Sequence, residues 1–218
     1  MINIALDGPS GSGKSTVAKI LSKKLDILYL DTGAMYRACA LEAILQKADC
    51  LDEESVKKFI GDIDLKIVYE NGAQKTILRG EDVSQKIRQN EVSMMASNIS
   101  SLPCVRLKMV EMQREVAAGV DCVLDGRDIG TYVLPDAKYK FFMTASPKVR
   151  AKRRYDELTK KGQSVDFETL LKEINQRDYN DSHRAFAPLK KADDAVLIDT
   201  TDMTVDEVVD FIVSRIQK

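Results

Sequence analysis

The chain has 218 residues, 44% of them hydrophobic and 31% charged, with 33 Lys and Arg against 34 Asp and Glu for a formal net charge of −1 and a pI near 6.0. That is enough apolar material for one buried core, and the even charge balance argues against a protein whose main work is coating nucleic acid or anionic membrane. No apolar run approaches the ~18 residues of a membrane span, and the first strand signal begins within two residues of Met1, so a cytoplasmic protein without a signal peptide is expected. Cys39, Cys50, Cys104 and Cys122 form no C-x-x-C pair. They fall in helix or strand patterns and read as structural thiols, not as a zinc site or a disulfide framework. His183 is the single histidine, which leaves catalytic chemistry to carboxylates, Lys and Arg.

The first predicted element is a buried strand, Ile2-Asn3-Ile4-Ala5-Leu6. It runs into Asp7-Gly8-Pro9-Ser10-Gly11-Ser12-Gly13-Lys14-Ser15-Thr16 and then into the helical pattern Val17, Ile20, Leu21, Leu25. Strand, G-x-x-x-x-G-K-S and helix together are the context of a phosphate-binding P-loop. Gly8, Gly11 and Gly13 let the backbone curl so that N–H groups point at phosphate oxygens, and the helix from Lys14 adds its positive end. Lys14 then reaches the β- and γ-phosphates and the Ser15 hydroxyl ligates Mg²⁺. Read instead as a Gly/Ser-rich turn without a ligand, the stretch leaves its strand and helix flanks unexplained. Residues Gly8 to Thr16 are therefore the expected nucleoside-triphosphate-binding set, with the phosphoryl acceptor still open.

Next in order come a short strand, Ile27 to Leu30, the turn Asp31-Thr32-Gly33, and a helix from Ala34 to Gln46. A helix opens at Asp52 and runs through Ile60. From Asp64 to Tyr69 and Lys75 to Arg79 the pattern alternates around Glu70-Asn71-Gly72-Ala73, a β-hairpin signal that breaks the strand–helix rhythm and reads as an insertion. Helical patterns cover Gln85 to Ser101 and Leu102 to Ala118, the second with Pro103 near its start and Gly119 beyond its end. Val120 to Leu124 is a buried strand ending at Asp125-Gly126-Arg127-Asp128-Ile129-Gly130. A strand from Lys138 to Met143, a helix from Ser146 and Pro147 to Lys161, and a helix from Asp166 to about Arg184 follow. Ala195 to Ile198 is the last strand, and Thr204-x-x-Glu207 is a capping box opening the final helix. Five buried strands alternating with helices predict an α/β fold with a parallel sheet.

Arginines gather at three places. Tyr36 and Arg37 lie in the first turn of the helix after Asp31, Arg127 and Asp128 follow a strand, and Arg177, Asp181 and Arg184 share one helix face by their i, i+4, i+7 spacing. The last set reads either as a solvated, ion-paired face or as an anion site. Beside a loop that already serves the donor, such guanidinium groups suit a second phosphate. Asp125 is either a Walker-B-like carboxylate or a turn cap.

Asp31-Thr32-Gly33-Ala34-Met35-Tyr36-Arg37, Asp125-Gly126-Arg127-Asp128-Ile129-Gly130-Thr131, Arg177-Asp178-x-x-Asp181-x-x-Arg184, and Pro188-Leu189 with Ala192-Asp193-Asp194-Ala195 resemble bacterial cytidylate kinase. The resemblance runs from about Ile4 to the last helix. Thr32 stands where many relatives have Ser, which keeps the hydroxyl.

The resemblance implies the nucleoside monophosphate kinase fold: one P-loop domain with a five-stranded parallel core (1–31, 102–147, 185–218), an acceptor-binding region (32–101) containing a small antiparallel sheet, and a short lid (148–184). It implies γ-phosphoryl transfer from ATP, with Mg²⁺, to CMP or dCMP in pyrimidine nucleotide metabolism. Arg37, Arg127 and Arg184 are implied to hold the acceptor phosphate, with Thr32 and Tyr36 shaping the same pocket and Arg177 and Asp181 near the sugar. Ser97, Arg106 and Asp128 match base-contacting positions, a donor and acceptor set that suits cytosine; Arg106 can equally be read as a salt-bridging helix face. Ser15 ligates the metal, with Asp125 acting through metal-bound water. Arg150 and Arg154, four apart beside Arg153 on the lid helix, either face the transferring phosphoryl or form a solvated basic face. Partners are then ATP and CMP or dCMP, without nucleic acid or membrane, and a monomer is expected.

A kinase for UMP or AMP is the nearest alternative. A GTPase switch would need [NT]-K-x-D and D-x-x-G, and neither string occurs. A P-loop scaffold without catalysis is disfavoured by Lys14, Ser15, Asp125 and the acceptor arginines occurring together.

Overall fold

The computed structural model describes residues 1–70 and 72–216. Asn71 of the predicted hairpin turn and the last two residues lie outside the described residues. In chain order the elements are β1 (Asn3–Asp7), α1 (Lys14–Leu25), β2 (Leu28–Asp31), α2 (Thr32–Gln46), α3 (Glu53–Ile60), β3 (Leu65–Glu70), β4 (Ala73–Leu78), β5 (Glu81–Asp82), a 3₁₀ turn (Lys86–Arg88), α4 (Asn90–Ile99) and α5 (Pro103–Ala117). There follow β6 (Cys122–Gly126), a π-helical turn (Ile129–Val133), β7 (Tyr139–Thr144), α6 (Pro147–Lys160), α7 (Phe167–His183), β8 (Val196–Asp199) and α8 (Val205–Arg215). A five-stranded sheet in the order β2-β6-β1-β7-β8 and a separate three-stranded sheet, β3-β4-β5, realise the predicted α/β class.

Ile4, Ala5 and Leu6 of β1 and Val123 and Leu124 of β6 are wholly buried. This is why their sequences are unbroken apolar runs and not alternating ones: strands of a parallel sheet are covered on both faces. β1 and β6 pair in parallel with Leu6 opposite Asp125 and Asp7 opposite Gly126. The loop after β1 and the turn after β6 therefore leave the sheet at the same carboxyl edge, where open α/β sheets place ligands.

The chain folds as two compact units. The one formed by Ile2–Ile27 and Cys122–Lys218 carries β1, β6, β7 and β8 with α1 and α6 to α8. Its predicted caps are present: Ser146 accepts from Val149 N–H at 3.4 Å, and Thr204 and Glu207 form the capping box.

The unit formed by Leu28–Asp121 with Met1 is centred on α2, where Ala34, Met35, Ala38, Cys39, Ala40, Leu41 and Ala43 are all buried. α2 starts two residues before the predicted Ala34 because Asp31 caps it, accepting from Ala34 N–H at 2.9 Å. The small sheet is tied to β2 by side chains. Tyr69 Oη donates to the Tyr29 carbonyl at 3.0 Å, and Gln74 accepts from Asp31 N–H at 2.8 Å and donates to the Asp31 carbonyl at 3.4 Å. Since β2 is a terminal strand of the larger sheet, these bonds use backbone groups that would otherwise form an open edge.

Two expectations change here. The predicted helix from Gln85 to Ser101 is a 3₁₀ turn and a separate α4, broken where Gln89 is extended at φ −63°, ψ 149°; no Pro or Gly marks the break. The hairpin gains a third strand, β5, of two residues, too short to show periodicity. Cys50 lies in a turn outside the helices and strands, buried all the same.

Candidate functional site

The loop between β1 and α1 is shaped by glycine where no other residue fits. Gly8 sits at φ 146°, and a Cβ there would lie 1.9 Å from the Met143 carbonyl oxygen. Gly13 is left-handed at φ 93° and starts α1 with no side-chain cap, so the first N–H groups of the helix remain directed at the loop. Lys14 is 5% exposed and curls back over the loop, its Nζ donating to the Pro9 carbonyl at 2.7 Å and to Ser12 Oγ at 3.2 Å. Burial pushes the Lys14 ammonium down to about 7, and the Arg127 charge adds to this against Asp125, Asp7 and Asp181. A triphosphate bound beside this buried ammonium would favour its charged form.

Ser15 Oγ donates to Asp125 Oδ2 at 2.5 Å, joining the exposed first turn of α1 to the buried end of β6. A hydroxyl and a carboxylate in contact are hard oxygen donors suited to Mg²⁺, which binds through few protein groups plus substrate phosphates. Among the described residues no cluster of three or more His, Cys, Asp or Glu could hold a metal on its own.

The same unit brings two of the three predicted arginine sets together. Arg127 Nε donates to Asp181 Oδ2 of α7 at 2.8 Å, and Arg184 Nη2 lies 3.4 Å from Asp128 Oδ1. Burial raises the Asp181 carboxyl, but Arg127, Arg177 and then Arg184 outweigh it and hold the group below the usual carboxylate range. The i, i+4, i+7 face of α7 is thus an inward-facing charged cluster and not a solvated stripe. Arg127 and Arg184 are thus each matched by a carboxylate.

Arg150 is 2% exposed. It donates to the Ala145 carbonyl at 2.9 Å, to the Ser10 carbonyl of the loop at 3.0 Å, and through two bonds of 3.0 and 2.5 Å to Asp178 of α7. Arg153 turns instead to Thr200, with bonds of 3.1 and 2.6 Å. Arg154 pairs with Glu157 at 2.9 Å on the surface, so this conformation does not bring it together with Arg150.

Within the other unit, Arg37 Nη2 donates to Asp31 at 3.3 and 3.1 Å, and Thr32, 2% exposed, follows at the start of α2. Arg106, 1% exposed, has its guanidinium carbon 5.4 Å from the centre of the Tyr36 ring and donates to the Ser100 carbonyl at 3.3 Å. Ser100 Oγ in turn donates to the Ser97 carbonyl at 3.0 Å. Tyr36, Arg106 and the Ser97 turn therefore lie together, and Arg106 is buried against the Tyr36 ring and not part of a solvated helix face.

Three carboxylates were missed as site residues. Asp31 and Asp178 hold Arg37 and Arg150. Asp7, 4% exposed, accepts from Ile129 and Gly130 N–H at 2.7 Å each. The signal for Asp7 was available, because an acid closing a buried apolar strand must find donors.

A glycine-shaped G-x-x-x-x-G-K-S loop between β1 and α1, at the carboxyl edge of a parallel sheet, is the arrangement of a P-loop kinase. The family model for cytidylate kinase matches residues 4–218. The chain is 49% identical over 207 residues to a cytidylate kinase of Caldicellulosiruptor saccharolyticus, covering 95% of this chain and 92% of the relative. It is 48% identical over 217 residues to one of Halalkalibacterium halodurans, covering 100% and 98%. Among solved structures, an uncharacterised protein of Eubacterium ventriosum superposes with a TM-score of 0.51 at 16% identity over 99% of this chain and 98% of that one, a likeness of fold alone. The chain belongs to the cytidylate kinase family. It is an enzyme, a nucleoside monophosphate kinase.

Proposed function

We propose that this kinase transfers the γ-phosphoryl of ATP to CMP and dCMP, giving CDP and dCDP, with residues 32–101 binding the acceptor and 148–184 acting as a lid. Gly8 to Thr16 wrap the donor phosphates, and Lys14 compensates charge as the phosphoryl moves from donor to acceptor. Mg²⁺, held through Ser15 with Asp125 behind it, neutralises phosphate charge when bound. Arg127 and Arg184 exchange their Asp181 and Asp128 partners for the acceptor phosphate, to which Arg37 is also assigned. Arg177 and Asp181 take the sugar, and Thr32 and Tyr36 shape the pocket. The acceptor phosphate is already an anionic nucleophile, so no general base is required, consistent with a single histidine in the chain.

Asp128, Arg106 and Ser97 read the base. The exocyclic amino group of cytosine donates to Asp128, whereas uracil would set O4 lone pairs against that carboxylate, costing about 1–3 kcal/mol. Arg150 and Arg154 face the transferring phosphoryl on lid closure and exclude water. A monomer is proposed. The four free cysteines support a reducing, cytoplasmic location, and among the described residues no helix is long and apolar enough to cross a membrane.

The observation that carries the reading is the meeting, within one unit, of Lys14, the Ser15–Asp125 pair and the two carboxylate-matched arginines, Arg127 and Arg184. A coupled assay of CMP, dCMP, UMP, AMP and GMP with ATP and Mg²⁺ tests it. Turnover is expected to be greatest with CMP and dCMP. No turnover above background with either would overturn the proposal, and a preference for UMP or AMP would move it to the alternative acceptor.

A further inference from the structure

Asp7 closes β1 and has no part in the roles above. Its two carboxylate oxygens accept separately from Ile129 and Gly130 N–H, each at 2.7 Å. These are the opening N–H groups of the π-helical turn whose N-cap residue is Asp128. An aspartate at an N-cap ordinarily folds its own carboxylate back onto an N–H two or three residues ahead. Asp128 makes no such bond; its backbone sits at φ −146°, ψ 27°, away from the usual capping conformation, and its carboxylate points to Arg184.

The site around this contact is close-fitting. A Cβ on Gly130 would meet Lys140 Cδ at 3.2 Å and Asp7 Oδ2 at 3.4 Å. Burial raises the Asp7 carboxyl to about 6, against the pull of the Gly130 and Ile129 N–H bonds. A carboxylate kept in so costly a place is held there by those two donors, and they in turn depend on it.

We propose that Asp7 is a positioning residue for base recognition: by capping the Ile129–Val133 turn from another strand, it keeps the Asp128 carboxylate off its own helix start and presented to the cytosine amino group. This role rests on Asp128 reading the base. It also links the strand that feeds the donor loop to the turn that selects the acceptor, because β1 and β6 run side by side with Asp7 opposite Gly126. Without Asp7, Asp128, as the N-cap residue of the same turn, becomes a candidate acceptor for the orphaned N–H groups, and capping its own turn would withdraw it from the base.

The test is the ratio of kcat/KM for CMP over UMP in wild type, Asp7→Asn, Asp128→Ala, the double variant and Gly130→Ala, with KM for ATP and thermal unfolding measured alongside. Asparagine keeps one acceptor and turns an N–H donor toward the other backbone N–H. Asp128→Ala is expected to lower the ratio about tenfold. Asp7→Asn should lower it about threefold or more through KM for CMP, with KM for ATP within about twofold, and the double variant should match Asp128→Ala alone, as residues acting through one contact do not add.

Gly130→Ala retains the carboxylate but crowds it by a methyl. It should move the ratio the same way by less, and it decides the matter if Asp7→Asn does not fold. A wild-type ratio in folded Asp7→Asn, or independent multiplying losses in the double variant, overturns the role of Asp7 while a lowered ratio in Asp128→Ala leaves the base reading standing. A wild-type ratio in Asp128→Ala overturns the base reading itself, and this role with it.

Discussion

In the proposed reading, the donor loop and the acceptor-binding residues handle the same ligand chemistry, phosphate, by opposite construction. Gly8 to Thr16 is one contiguous stretch that binds with backbone N–H groups and a single lysine; its shape comes from glycine conformations and the start of α1. The acceptor residues are side chains scattered from Thr32 to Arg184, and their arginines are held ready by carboxylates: Arg37 by Asp31, Arg127 by Asp181, Arg184 by Asp128. A backbone-built site is rigid and indifferent to the base it serves. A site of charge-matched side chains can be discharged and rearranged by its ligand, and base selectivity can be placed within it.

An acceptor arginine that proved dispensable would break this comparison. Arg127→Ala is expected to lower kcat/KM for CMP by about 10²–10³-fold, with KM for ATP changed by about threefold at most. It should also cost about 1–3 kcal/mol in urea unfolding, because Asp181 stays buried without its strongest partner. The lid pair sharpens the comparison. Arg150→Ala removes bonds to both the loop and α7 and is expected to reduce turnover about tenfold, Arg154→Ala only severalfold; wild-type turnover in both removes the lid assignment.

The smallest effect concerns pH. With Lys14 near 7 in the fold and 10.5 ordinarily, the unfolded chain holds a proton between those values that the folded chain has released. Stability therefore rises with pH across that window, and the cost of burying the charge is fully felt below about 7. Lys14→Met should flatten the rise, read as the difference in urea midpoint between pH 7 and pH 9; an unchanged difference would place the titration elsewhere.

The same contrast explains what could be read from sequence. The position of the loop between β1 and α1 was legible because its signal is local: glycines, lysine and hydroxyl at fixed spacing after an apolar strand. The sheet was legible because β1 and β6 are buried on both faces and carry unbroken apolar runs. Arg177, Asp181 and Arg184 could be placed on one helix face, but whether that face met water or Arg127 depends on how α7 packs, which helical spacing does not encode. The carboxylates Asp7, Asp31 and Asp178 were invisible as partners for the same reason, since each acts on a group brought near by the fold. The split at Gln89 and the two-residue β5 escaped because neither carries a punctuating residue or enough length for periodicity.

The most direct measurement is on Lys14→Ala: turnover with saturating CMP and ATP, set against equilibrium binding of CMP by calorimetry. If donor and acceptor sites are built separately and Lys14 acts on the moving phosphoryl, turnover falls by about 10²-fold or more while CMP affinity stays within about threefold of wild type. Loss of CMP affinity in proportion to the loss of turnover would contradict the account, because Lys14 would then be holding the acceptor and not stabilising the transfer.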